Sequence, residues 1–215
     1  MRQTTLGLAL VLGLGAAAPA AGQVRGLPVY NSGIPTGLGL FADVGVPNDA
    51  TGDNGTALGA TARLGAGPFG ATGTVSYLTG NDPSVTSVGG TLNYKFFGGP
   101  LVPLTATLQG GVGYSKSGGI RNYHVPIGVG IGLTIPNPVL AIKPWIAPRV
   151  DIAHTSIPGG VGSNTDTNFG ISGGVELNLL NGIGVHAAYD RVFATGDDPG
   201  IFAAGLHYQF RIPGL

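Results

Sequence analysis

His154-Thr155-Ser156 is the one pairing in this 215-residue chain that resembles a nucleophile with its base. A serine hydroxyl attacks an ester only when a base takes its proton, and that base needs an acid to orient it. The acid downstream is Asp166, across a long polar stretch and on the opposite strand parity. With the acid so placed, the favoured reading of His154 and Ser156 is a histidine and a serine without catalysis. A second set of groups is scattered and acquires chemistry only if the fold collects it. It comprises Asp43, Arg63, Lys95, Lys143, Arg149, Asp151, Glu176, His186, Asp190 and His207, with His124, Gln209, Asn93 and Asn178 beside them. A third set is six acids between the patterned segments: Asp49, Asp53, Asp82, Asp166, Asp197 and Asp198. Loop carboxylates and carbonyls of this kind suit Ca²⁺, but neither Asp49 to Asn54 nor Asp197-Asp198 has EF-hand spacing. No metal and no cofactor is assigned. The run Gly128-x-Gly130-x-Gly132 has no helix after it and is not a phosphate cradle.

The elements that position these groups follow from composition. Charged residues make up only 9% of the chain, against ~25% in ordinary globular proteins, and mean hydropathy is +0.31. Yet polar residues and glycines interrupt every stretch after the N-terminus, so no run reaches the ~20 apolar residues of a membrane helix. The one long apolar run is at the start. Arg2, the stretch Leu6 to Ala18 and Ala18-Pro19-Ala20 read as the three parts of a signal peptide, with cleavage expected between Ala20 and Gln23. The chain has no cysteine, which excludes disulfides, thiolate metal sites and lipid acylation at cysteine. Its 10 basic and 10 acidic residues balance, so nothing favours a nucleic-acid partner.

With 41 glycines and 16 prolines, helices are disfavoured throughout. Period-2 alternation recurs instead in ten segments, near 36–45, 57–66, 69–79, 86–97, 102–115, 121–134, 140–155, 168–179, 183–193 and 201–210. Longer polar connections at 46–56, 80–85, 116–120, 156–167 and 194–200 alternate with short ones such as Gly67-Pro68 and Asn181-Gly182. Alternating long and short connections between amphipathic strands are the pattern of a transmembrane barrel. The aromatic residues sharpen this. With the first strand running outward, Tyr77, Tyr114, Tyr123, Phe169, Tyr189 and Phe202 fall at the outer end of the apolar face. Phe69, Tyr94, Phe96, Tyr208 and Phe210 fall at its inner end. Two aromatic girdles flanking an aliphatic band mark two water–hydrocarbon boundaries, whereas a sandwich core would place its large rings mid-strand.

The expected fold is therefore all-β, a closed antiparallel up-and-down barrel of about ten strands, with eight as the alternative and a soluble periplasmic β-sandwich as the remote one. Residues 1–22 form the signal peptide, 23–35 a periplasmic lead-in, 36–210 the barrel and 211–215 a tail. By pattern, the chain resembles the small outer-membrane β-barrel proteins, the group that includes OmpA-type and OmpX-type barrels. The segment Gly205-Leu206-His207-Tyr208-Gln209-Phe210 resembles the C-terminal signal of that group. The resemblance implies a Gram-negative outer membrane, contact with its lipid and recognition by the barrel-assembly machinery. The parity of His154 and Ser156, toward lipid at the outer rim, resembles the lipid A 3-O-deacylases, in which a His-x-Ser pair faces the membrane. That family uses a glutamate where this chain offers Asp166.

Strand parity turns the second set of residues into a lumen network. Burial in a narrow space makes pairing of these charges close to obligatory, and a hairpin at Asn181-Gly182 sets Glu176 opposite His186. The favoured function is structural or surface-interacting, with a polar, plugged lumen and no enzymatic activity. A narrow, porin-like solute channel is the alternative, because the inward glycines Gly111, Gly113, Gly128, Gly130 and Gly132 would widen the lumen. A lipid-modifying hydrolase is the second alternative. Oligomeric state is not legible in the sequence.

Overall fold

The computed structural model describes residues 24–48, 51, 55–80, 84–99, 102–157, 162–196 and 198–210. The expected signal peptide, the tail 211–215 and the loop acids Asp49, Asp53, Asp82 and Asp197 lie outside these residues.

The described strands are β1 (Gly37–Pro47), β2 (Ala57–Ala66), β3 (Phe69–Leu78), β4 (Val85–Gly99), β5 (Val102–Ser117), β6 (Ile120–Leu133), the two-residue β7 (Ile135–Pro136), β8 (Leu140–Ile157), β9 (Gly162–Leu179), β10 (Ile183–Phe193) and β11 (Gly200–Phe210). Neighbours in sequence pair antiparallel, β1 pairs with β11, and β6 also pairs with β8, which closes the sheet on itself. Ten strands cross; β7 only extends the seam by pairing Ile135 with Ile142 at the start of β8. A single closed sheet replaces both the eight-strand and the two-sheet alternatives. The reason is hydrogen bonding: in hydrocarbon an open edge would leave a row of backbone groups without partners.

Side chains alternate between lumen and lipid. In β1, odd residues from Gly37 to Pro47 are buried while Leu40, Val44 and Val46 are exposed. All eleven girdle aromatics lie on the outward face. Six of them meet in pairs near the strand ends: Phe69 with Tyr94, Tyr114 with Tyr123, and Tyr208 with Phe210. Irregular pairing between β4 and β5 over 95–99 turns Phe97 outward as well, so that Phe96 and Phe97 are both exposed.

Two of the expected long connections are shorter than the sequence reading has them. The β8–β9 ladder continues from Ile152 opposite Thr167 to Ile157 opposite Gly162, so most of the 156–167 loop is strand. Polar Ser, Thr and Asn residues read as loop, but an antiparallel ladder beyond the apolar belt needs only backbone partners and tolerates them. The 116–120 connection shrinks to a two-residue turn at Gly118 and Gly119, both at positive φ, the conformation of tight hairpins. At the opposite end Gly182 has φ +91°, and a Cβ there would press on the carbonyl of Gln209. Gly182→Val is expected to cost about 1–2 kcal/mol, seen as a lowered urea midpoint in vesicles.

Residues 24–35 of the expected lead-in do not lie outside the barrel. The described part, 24–36, enters the lumen at the end where β2 begins and β3 finishes. There Val24 and Leu27 pack with Ala57, Leu78, Val85 and Ala203. It leaves at the opposite end, where Ile34 and Pro35 lie against Gly65 and Gly70 just before β1 starts. About ten extended residues reach ~33 Å, enough to cross a membrane, and this strap does so inside the sheet. A ten-stranded cylinder is wider than the eight-stranded one that side chains alone can fill. The extra volume holds the strap.

Candidate functional site

The lumen is built on the strap. At the end where β2 starts, Val29 N donates to Asp190 Oδ2 (2.8 Å) and Ser172 Oγ donates to Val29 O (2.7 Å). Midway, Tyr30 Oη donates to Asp43 Oδ1 (2.7 Å), Gln109 Nε2 to Tyr30 O (2.9 Å) and Thr107 Oγ1 to Asn31 Oδ1 (2.6 Å). Toward β1, Ser32 Oγ donates to Glu176 Oε1 (2.5 Å). An irregular chain carries unpaired backbone groups that cannot be buried bare; here lumen side chains from β5, β9 and β10 supply partners. Leu27 and Val29 are 0% and 1% exposed.

The inward glycines are what make room. A Cβ on Gly45 would overlap the Gly26 carbonyl, one on Gly59 the Leu27 side chain, one on Gly65 the Pro35 carbonyl, and one on Gly130 would strike Asn31. Gly128 instead faces Arg149 and Pro148 O. Of the inward glycines expected to widen the lumen, Gly130 and Gly132 have the strap residues Asn31 and Ser32 in the space they leave. The signal for the strap was present in the sequence. Leu27, Val29, Tyr30 and Ile34 form too apolar a stretch to rest in water.

Each sequence-derived lumen residue has a definite place. Arg149 lies between two carboxylates, with Nη2 to Asp190 Oδ1 at 2.7 Å and Nε to Asp151 Oδ2 at 2.8 Å. His124 Nε2 reaches Asp151 Oδ1 at 3.1 Å. A second cluster runs from Asp43 Oδ1 to His186 Nε2 (2.6 Å), from His186 Nδ1 to His207 Nδ1 (3.1 Å), and from His207 Nε2 to Asn178 Oδ1 (2.8 Å). Arg63 Nη1 donates to Glu176 Oε1 (3.1 Å) and to Ser32 Oγ (2.9 Å). Glu176 stands opposite His186 in the β9–β10 register, yet each bonds elsewhere. Lys95 and Lys143 are half-buried and have no ion-pair partner among the described residues. Asn93 donates to Thr91 Oγ1, at 3.1 Å.

Two inward aromatics belong to this site and escaped the sequence reading. Phe41 stacks on His207 with centroids 4.9 Å apart and carries the Arg63 guanidinium 4.0 Å above its ring. Trp145 packs with Ala147 and Ala188, and its ring lies 6.1 Å from that of Tyr30. Their parity with Asp43 and Lys143 was the available clue.

The His154–Ser156 pair is separate. His154 Nδ1 lies 2.8 Å from Thr165 Oγ1, Asp166 accepts from Asn164 Nδ2 at 2.7 Å, and Asp166 stands opposite Ala153 in register. Among the described residues no carboxylate bonds either ring nitrogen of His154. In the loops, Asp198 pairs with Arg191 at 2.7 Å.

No protein-family model matches the chain, and no curated protein does. Among solved structures, the beta domain of the Bordetella autotransporter Brka superposes with a TM-score of 0.52 at 14% identity, over 80% of this chain and 98% of that one. The Escherichia coli outer-membrane protease OmpT aligns at 11% identity over 81% of this chain and 94% of its own, with a TM-score of 0.43. Ail of Yersinia pestis in a nanodisc aligns at 12% identity over 80% and 98%, with a TM-score of 0.38. At these identities the likeness concerns the fold alone, and that fold is the outer-membrane β-barrel.

Proposed function

We propose that this protein is a non-conducting, non-enzymatic barrel of the outer membrane, structural or surface-interacting, whose lumen is closed by its own N-terminal strap. The observation that carries the reading is the set of hydrogen bonds between Val29, Tyr30, Asn31 and Ser32 and strands on several sides of the cylinder. A solute crossing the lumen would have to displace them. The reading includes export with a cleaved signal peptide, insertion by the barrel-assembly machinery through β11, and short turns on the periplasmic side.

In planar bilayers the wild-type protein is expected to give no unitary current steps at either polarity. Deletion of residues 24–34 is expected to produce them, with folding checked by heat-modifiable mobility in gels. A steady unit conductance from the wild type would overturn the reading in favour of a solute channel.

The reading of no enzymatic activity rests on His154, whose ring nitrogens meet no carboxylate among the described residues. Purified protein is expected to release no fatty acid from lipid A, and Ser156→Ala to change nothing. Ester hydrolysis that disappears in Ser156→Ala would replace this reading with a membrane hydrolase.

A further inference from the structure

The strap does not fill the end of the lumen where it turns into β1. Ile34 and Pro35 lean on the wall made by Gly65 and Gly70, and a cleft of about 570 Å³ opens on the other side, against β8, β9 and β11. Two of its polar donors have no hydrogen-bond partner among the described residues. The nearby Glu176 carboxylate is bonded by Arg63 and Ser32, and the Lys143 ammonium, opposite Glu176 in the β8–β9 register, leaves this group with two cations around one carboxylate, a net positive charge beside the cleft. Asn178 is 8% exposed; its Oδ1 accepts from His207 while its Nδ2 has no partner. Both residues line the cleft. A buried donor left bare is costly, and an ammonium beside an amide N–H₂ suits an anionic oxygen.

The cleft is also not walled off from the membrane. Its lip includes Leu179 and Leu180, 43% and 74% exposed, and Phe210 at 42%. A ligand seated there has its charge in the cleft and an apolar surface beside it. We propose that Lys143 and Asn178 form an anion site for a phosphate group, and that its occupant is the headgroup of an anionic phospholipid from the adjoining leaflet. The acyl chains would lie on Leu179 and Leu180. The proposal goes beyond the closed-barrel reading and does not depend on it, since the cleft lies on one side of the strap.

The test uses the full mature chain in maltoside micelles, which carry no phosphate, titrated with short-chain phosphatidylglycerol by calorimetry or ³¹P NMR. Saturable one-to-one binding is expected. Lys143→Gln should weaken it about tenfold, the worth of one charge-assisted bond; Lys143→Arg should restore it. Lys95→Gln, on β4 and outside the cleft, should leave it unchanged, and gel mobility confirms that each variant folds. A second titration uses inorganic phosphate. If phosphate alone binds as tightly as the lipid, the lipid assignment is overturned and a free-anion site remains. No saturable binding of either probe, or binding indifferent to Lys143→Gln, overturns the site itself.

Discussion

Arg149→Met is expected to destabilise the folded barrel by about 3–5 kcal/mol, the usual cost of removing one partner from a buried ion cluster. The guanidinium, 4% exposed, holds Asp151 and Asp190, which are 2% and 0% exposed. Without it two carboxylates remain in the lumen with His124 and the Val29 amide as their remaining contacts. Methionine keeps the apolar stem, so the loss reports charge rather than volume. Converting both acids as well, in Arg149→Met/Asp151→Asn/Asp190→Asn, should recover much of the loss, because a neutral cluster has no charge to desolvate. The single tryptophan, Trp145, sits inward on the same strand and reports unfolding by fluorescence in urea. A loss below about 1 kcal/mol would place this pair in the class of solvated ion pairs and contradict a sealed interior.

The barrel was legible in the sequence for a reason peculiar to membranes. Lipid imposes the same requirement on every strand, so alternation and girdles repeat across the chain, and a misjudged boundary does little harm. Phe69 and Tyr94 appear at the same depth from sequence spacing and sit with ring centroids 5.3 Å apart in the fold. Strand ends were less legible because nothing periodic marks them. Ser163, Asn164 and Thr165 look like loop by composition and pair as strand because their partners Ser156, Thr155 and His154 are there to receive them. Pairing partners in the lumen were legible only between adjacent strands, as for Glu176 opposite His186. Parity puts Arg149, Asp151 and Asp190 on one face, but the link between Arg63 and Glu176 runs across the cylinder between strands that are not neighbours. The strap hid for a related reason. It has no periodicity of its own, and its traces are the apolar run from Leu27 to Ile34 and the excess of glycine at inward positions of other strands.

That trace supplies a test that separates the strap from the barrel. Gly45→Val and Gly130→Val place a β-branched side chain where strands favour one, so the sheet itself should accept them. Inside, each pushes on the strap, at the Gly26 carbonyl and at Asn31 respectively. The strap holds its place partly by burying Leu27 and Val29, each worth about 1.5–3 kcal/mol. Loss of one such contribution should raise its local opening about ten- to a hundredfold while the barrel stands. Arg25 lies within the strap and gives trypsin a cleavage site there. Cleavage after Arg25 in the folded protein should accelerate by that factor in both variants, and ion leak in planar bilayers should rise with it. Gly73→Val and Gly110→Val are the controls, because a Cβ at either position meets nothing within 4 Å. Equal protection of Arg25 in variants and controls would mean that the inward glycines do not hold the strap in place. Accelerated cleavage without ion leak would mean that the remaining side chains alone seal the cylinder. The closure would then belong to the wall and not to the strap.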